Sequence, residues 1–162
     1  MLFALIGEVN TGIDNFIEEL GKYAYFQVLV DEECYANKHD ASLGISRFIN
    51  DLGEYTDSDD LYAYVITEPK YLKAIPENTP AFLFTRDLDG ILDGWKTAFG
   101  GHIPFYYKRK YTKRHGCLDN APNIFRFEYG KQSHYSEAMA VLRYLIDNTK
   151  TQYKWLRDKP LK

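Results

Sequence analysis

The chain has 162 residues, 45% hydrophobic and 27% charged, which excludes a disordered segment and provides for one domain with a single core. A net charge of −3 gives no general ground for nucleic-acid binding, so any such binding would rest on a local patch. The two cysteines, Cys34 and Cys117, form no C-x-x-C pair and exclude a disulfide framework; they read as reduced thiols of a cytoplasmic protein.

Leu2 to Ile6 is a continuous apolar run, as expected of a strand buried on both faces of a parallel sheet. It is too short, and lacks the leading positive charge, for a secretory signal. No apolar run in the chain approaches the roughly 18 residues of a membrane span. A glycine loop from Gly7 to Gly12 follows, then a helix expected to start at Asp14 or Asn15, with Asn15 and Glu18 in capping-box spacing. Phe16, Ile17 and Leu20 supply its apolar face, and Gly21 stands where helices commonly close. Tyr25 to Val30 reads as a second strand, ending in the acidic turn Asp31, Glu32, Glu33.

Asp40 is placed to cap a helix whose apolar positions Ile45, Phe48, Ile49 and Leu52 fall at i, i+3, i+4 and i+7. After the acidic loop Glu54 to Asp60, a third strand runs from Leu61 to Thr67 and meets Glu68-Pro69; Tyr71 to Ile75 suits a helical turn. Ala81 to Thr85 is the fourth strand, followed by Arg86 and Asp87. Leu88, Ile91, Leu92, Trp95 and Phe99 then form a helical stripe closed by Gly100-Gly101. Gly90 and Gly94 inside that helix each cost about 1 kcal/mol against alanine, so packing has to hold it. Ile103 to Tyr107 leads into a basic segment, Asn123 to Tyr129 is the last strand, and a helix capped near Ser133 carries Tyr135, Ala138, Met139, Leu142, Leu145 and Ile146 on one face. The division is a single α/β domain over 1–148, with a lid-like basic segment at 102–120, and a polar tail over 149–162 from which Trp155 can dock back.

Strands alternating with helices predict an α/β fold with a mostly parallel five-stranded sheet and helices on both faces. Ligands of such sheets bind outside the carboxyl ends of the strands. The residues there are Gly7 and Glu8, Asp31 and Glu32, Glu68, then Arg86 and Asp87, a polar rim with several carboxylates, able to hold a Mg²⁺ through one or two of them.

The loop has the spacing of G-x-x-x-x-G-K-[ST], with Ile13 at the lysine position and Asp14 at the hydroxyl position. With the order of elements that follows, the chain resembles the P-loop nucleoside monophosphate kinases, the guanylate kinase type among them. The resemblance implies a P-loop kinase-like fold and a nucleotide site formed by Gly7, Glu8, Asn10, Thr11, Gly12 and Asp14. Glu68, Arg86 and Asp87 would join it from the strand ends, and Arg109 and Arg114 from a lid. Phosphoryl transfer is mostly stabilisation of spread negative charge, and exchanging lysine for isoleucine and a hydroxyl for a carboxylate works against it. The expected function is therefore a kinase-like protein with a degraded phosphate loop, holding a nucleotide with weak or no transfer.

The alternative is a binding module without chemistry. In segment 103–115, Lys108, Arg109, Lys110, Lys113 and Arg114 interleave with Tyr106, Tyr107 and Tyr111, a pattern that suits nucleic acid or a protein partner. His115 and Cys117, with His102 or His134, lack the paired spacing of a zinc site.

Overall fold

The computed structural model describes residues 1–8, 10–30, 55–56, 58–66, 78–98, 100–101, 124–149 and 154–162. The helix expected from Asp40, the turn at 71–75 and the segment 103–115 lie outside the described residues.

Among the described residues, five strands form one sheet: β1 (Leu2–Gly7), β2 (Gln27–Val30), β3 (Tyr62–Ile66), β4 (Ala81–Thr85) and β5 (Ile124–Glu128). Their order is β2-β3-β1-β4-β5, and every pairing is parallel. β1 is central, and all six of its residues are buried, as its unbroken apolar run demands. In register, Leu5 lies beside Val65 on one side and Phe82 on the other.

Among the described residues, three helices of more than two residues accompany the sheet: α1 (Ile13–Gly21), α2 (Leu88–Ala98) and α3 (His134–Asp147). α1 leads from β1 toward the β2 edge, whereas α2 leads from β4 to the β5 edge. Right-handed crossovers in opposite directions place the two helices on opposite faces. α3 packs beside α1. Alternation along β1 divides the core accordingly. Phe3 and Leu5 join Phe16, Leu20, Phe82, Phe84, Val141 and Leu145 on the α1 and α3 face, while Leu2, Ala4 and Ile6 join Tyr64, Ile66 and Leu83 on the other. The first face is a stack of aromatic rings, with Phe16 and Phe84 centroids 4.8 Å apart and Phe84 and Phe127 5.4 Å apart. Each such buried ring contributes about 1.5–3 kcal/mol.

Several boundaries differ from the expectation, each for a local reason. α1 begins at Ile13, one residue before the proposed start, and its N-cap is Gly12 in the left-handed region, so Asn15 is an exposed residue inside the first turn and makes no capping box. Gly21 is the last helical residue rather than a left-handed stop. Tightened bonds from Lys22 N–H to Glu19 O and from Tyr23 N–H to Leu20 O close the helix instead. β2 starts at Gln27 because the Tyr25 N–H is taken by the Trp155 carbonyl at 2.6 Å. α3 is capped by Ser133 as expected, its Oγ accepting from Ser136 N–H at 3.1 Å. Its inner face is rotated from the expected stripe, with Val141 and Glu137 buried and Tyr135 exposed. α2 is closed as expected by Gly100 and Gly101, at φ 69° and 98°.

The end of the chain returns to the body. Trp155 is 3% exposed within the α1 and α3 core, Leu156 pairs antiparallel with Ala24, and Arg157 N–H donates to Tyr23 O at 2.9 Å. Among the described residues no helix is long and apolar enough to cross a membrane.

Candidate functional site

The loop between β1 and α1 leaves the carboxyl end of the central strand and turns sharply. A β-carbon on Gly7 would come within 2.8 Å of Thr11 Oγ1, so only glycine lets Thr11 fold back. Thr11 is 3% exposed, and its hydroxyl donates to the Glu8 carbonyl at 2.7 Å. Asn10 sits at φ 63° and Gly12 at φ 85°, two left-handed residues that reverse the chain into the helix. The N-cap, Gly12, has no side chain to cap α1, so among the described residues the positive end of the helix faces the loop open. Ile13 packs inward against the core at 8% exposure, and Asp14 is exposed in the first turn.

Arg86, after β4, ties this loop to its neighbours. Its Nη1 donates to the Asn10 carbonyl at 2.9 Å, and its guanidinium lies 3.9 Å from the ring centre of Tyr129, the residue after β5. Asn10 Nδ2 in turn donates to the Gly90 carbonyl at 2.8 Å. Asp87 serves α2 instead: its Oδ2 accepts from Gly90 N–H at 3.0 Å, and Arg86 Nε stands 3.7 Å from its Oδ1.

On the far side, the first residue of α3 closes against the loop. A β-carbon on Gly12 would lie 3.0 Å from His134 Cε1 and 3.3 Å from the Tyr129 ring. His134 Nδ1 is 2.9 Å from Oε2 of Glu137, whose side chain is 4% exposed against 35% for the imidazole. Loss of hydration pushes the Glu137 carboxyl above its ordinary range, and the hydrogen bond from His134 pulls it back part of the way.

Thus Gly7, Glu8, Asn10, Thr11, Gly12, Asp14, Arg86 and Asp87 gather at the carboxyl ends of β1 and β4. Asp31, Glu32, Glu68, Tyr106, Lys108, Arg109, Lys110, Lys113 and Arg114 lie outside the described residues. Tyr129 and His134 were not among the site residues read from the sequence. The strand-end rule that selected Arg86 reaches Tyr129 when applied to β5, whereas nothing in the sequence places His134 against Gly12. No group of three His, Cys, Asp or Glu side chains suited to a metal ion occurs among the described residues.

No family model matches the chain, and no curated protein matches it. Solved structures do. A sugar kinase from Janibacter sp. superposes with a TM-score of 0.65 at 9% identity, over 90% of this chain and 94% of that one. Shikimate kinase from Acinetobacter baumannii gives 0.58 at 11% identity, over 93% and 95%, and a gluconokinase from Sinorhizobium meliloti 0.58 at 11%, over 90% and 94%. The fold is that of the P-loop small kinases. At these identities the likeness is one of architecture, and it extends over nearly the whole of each chain.

Proposed function

We propose that this protein is a kinase-like nucleotide binder related to the nucleoside monophosphate kinases, in which loop 7–14 is a degraded phosphate loop. The observation that carries the reading is the open N-terminus of α1 behind a loop with left-handed Asn10 and Gly12, at the end of the central parallel strand. Backbone N–H groups and the helix dipole still favour an anion there. Against them, Ile13 turned into the core leaves no ammonium over the loop, and Asp14 puts a carboxylate on its lip. Among the described residues, Arg86, held at Asn10, brings a cation to this loop. A Mg²⁺ would arrive with the nucleotide, held by its phosphates and by waters. Phosphoryl transfer is correspondingly weak or lost.

Calorimetry with a panel of nucleoside mono-, di- and triphosphates tests the reading. Binding that Ile13→Lys with Asp14→Ser strengthens at least tenfold is the expected result. No binding of any nucleotide at millimolar concentration, by the wild type and by that double variant alike, overturns it.

A further inference from the structure

Around Gly12 the described residues bring a second candidate cation to the loop, and it is titratable. His134 Nδ1 is engaged by Glu137 Oε2 at 2.9 Å, and Cε1 faces Gly12. Nε2, one bond from Cε1, is the ring nitrogen left at the loop, and it has no hydrogen-bond partner among the described residues. With Glu137 ionised and His134 neutral, the proton sits on Nδ1 and Nε2 carries a lone pair, which repels a phosphate oxygen. One proton added to the pair changes that in either of two places. On the ring it makes Nε2 an N–H donor beside a positive charge. On Glu137 it lets the carboxylic acid donate to Nδ1 and moves the ring proton to Nε2. Both forms make Nε2 an N–H donor, one bond from the Cε1 that faces Gly12.

We propose that His134, oriented by Glu137, is a proton-dependent contact for the phosphates of a nucleotide bound at Gly12. This rests on the nucleotide-binding reading above. The surroundings of the imidazole are mixed. Glu137 faces it from its own helix, and Glu19 from α1 feels its charge. Asp14 is in the first turn of α1, and Tyr129 shares the Gly12 contact with Arg86 stacked on it. Lys131, in the turn before α3, is paired with Glu128.

The test is calorimetric titration of magnesium–ATP between about pH 5.5 and 8.5 into wild type, His134→Asn, His134→Lys and Glu137→Gln. Titration of the nucleotide itself is common to all four, so the ratio of affinities isolates His134. Wild type should bind more tightly than His134→Asn at low pH and lose that advantage as pH rises, by up to about tenfold per unit through the titration. His134→Lys should keep tight binding with the pH dependence removed, and Glu137→Gln should move the wild-type profile to lower pH. A merely structural histidine would weaken binding by the same factor at every pH. That outcome overturns the inference and leaves nucleotide binding standing. No binding by any variant at any pH removes both.

Discussion

A β-carbon on Gly90 would fall 2.0 Å from Nε of Arg86, and the three atoms nearest to it all belong to that arginine. The absent side chain is thus a slot through which Arg86 crosses the first turn of α2 to reach Asn10 and Tyr129. The sequence marks Gly90 only as a weak helical residue, and helix propensity alone would make Gly90→Ala stabilising by up to about 1 kcal/mol. With Arg86 in place the sign should reverse. The guanidinium is expelled, and its bond to Asn10 and its stacking on Tyr129 are lost, for a net destabilisation of about 1–2 kcal/mol. In an Arg86→Ala background the same substitution should stabilise. Urea unfolding of the four proteins completes the cycle, and additive effects would contradict the slot.

Two other glycines should behave oppositely. Gly12→Ala has to adopt φ 85° and displace His134 and Tyr129, costing about 2 kcal/mol and lowering Tm by about 4–8 °C. Gly21→Ala meets no atom within 4 Å and has an ordinary helical backbone, so it should raise stability by up to about 1 kcal/mol. Thermal unfolding followed by circular dichroism separates them. Equal shifts of either sign would mean that the loop geometry at Gly12 is wrong.

Glu137 makes stability depend on pH in a stated direction. Its folded pKa lies above the ordinary value of 4.5, chiefly through lost hydration. Between those two values the folded chain holds more protons than the unfolded one, so this contribution is present below 4.5 and lost as pH rises through the folded value. Glu137→Gln has no such loss. Its stability relative to wild type should therefore increase as pH is raised from about 4 toward 6, before histidine titration intervenes. Chemical denaturation of both proteins at each pH measures the difference, and a flat or falling difference would refute the assignment.

The fold was legible where one local signal dominated. The apolar run Leu2 to Ile6 could only be a doubly covered strand, and it is the centre of the sheet. The stripe from Leu88 to Trp95, stopped by Gly100-Gly101, became α2. Gly7 and Gly12 marked the loop, and strand ends marked Arg86 and Asp87. What escaped was set by partners distant in sequence. The start of β2 is decided by Trp155, which takes the Tyr25 N–H 130 positions away in the chain. The inward turn of Glu137 depends on His134, whose place is fixed in turn by the bare Cα of Gly12. A capping box at Asn15 was the reasonable local choice, yet the loop required Gly12 to be left-handed and moved the helix start to Ile13.

The docking of the chain's end gives the last prediction. Trp155 is 3% exposed among the residues of the α1 and α3 core, and its carbonyl receives the Tyr25 N–H. Two residues on, Arg157 Nε donates to the Gly21 carbonyl at 2.8 Å, and the guanidinium lies 3.8 Å from the Tyr25 ring centre. Buried volume and surface contact should separate cleanly in size. Trp155→Ala leaves a large cavity and should cost about 3–5 kcal/mol, a major part of the 5–15 kcal/mol typical of a whole domain. Arg157→Ala loses a half-exposed hydrogen bond and a stacking contact, and should cost about 1 kcal/mol. Urea denaturation gives both values. If Trp155→Ala cost no more than Arg157→Ala, the indole would be lying on the surface of the domain rather than filling its core.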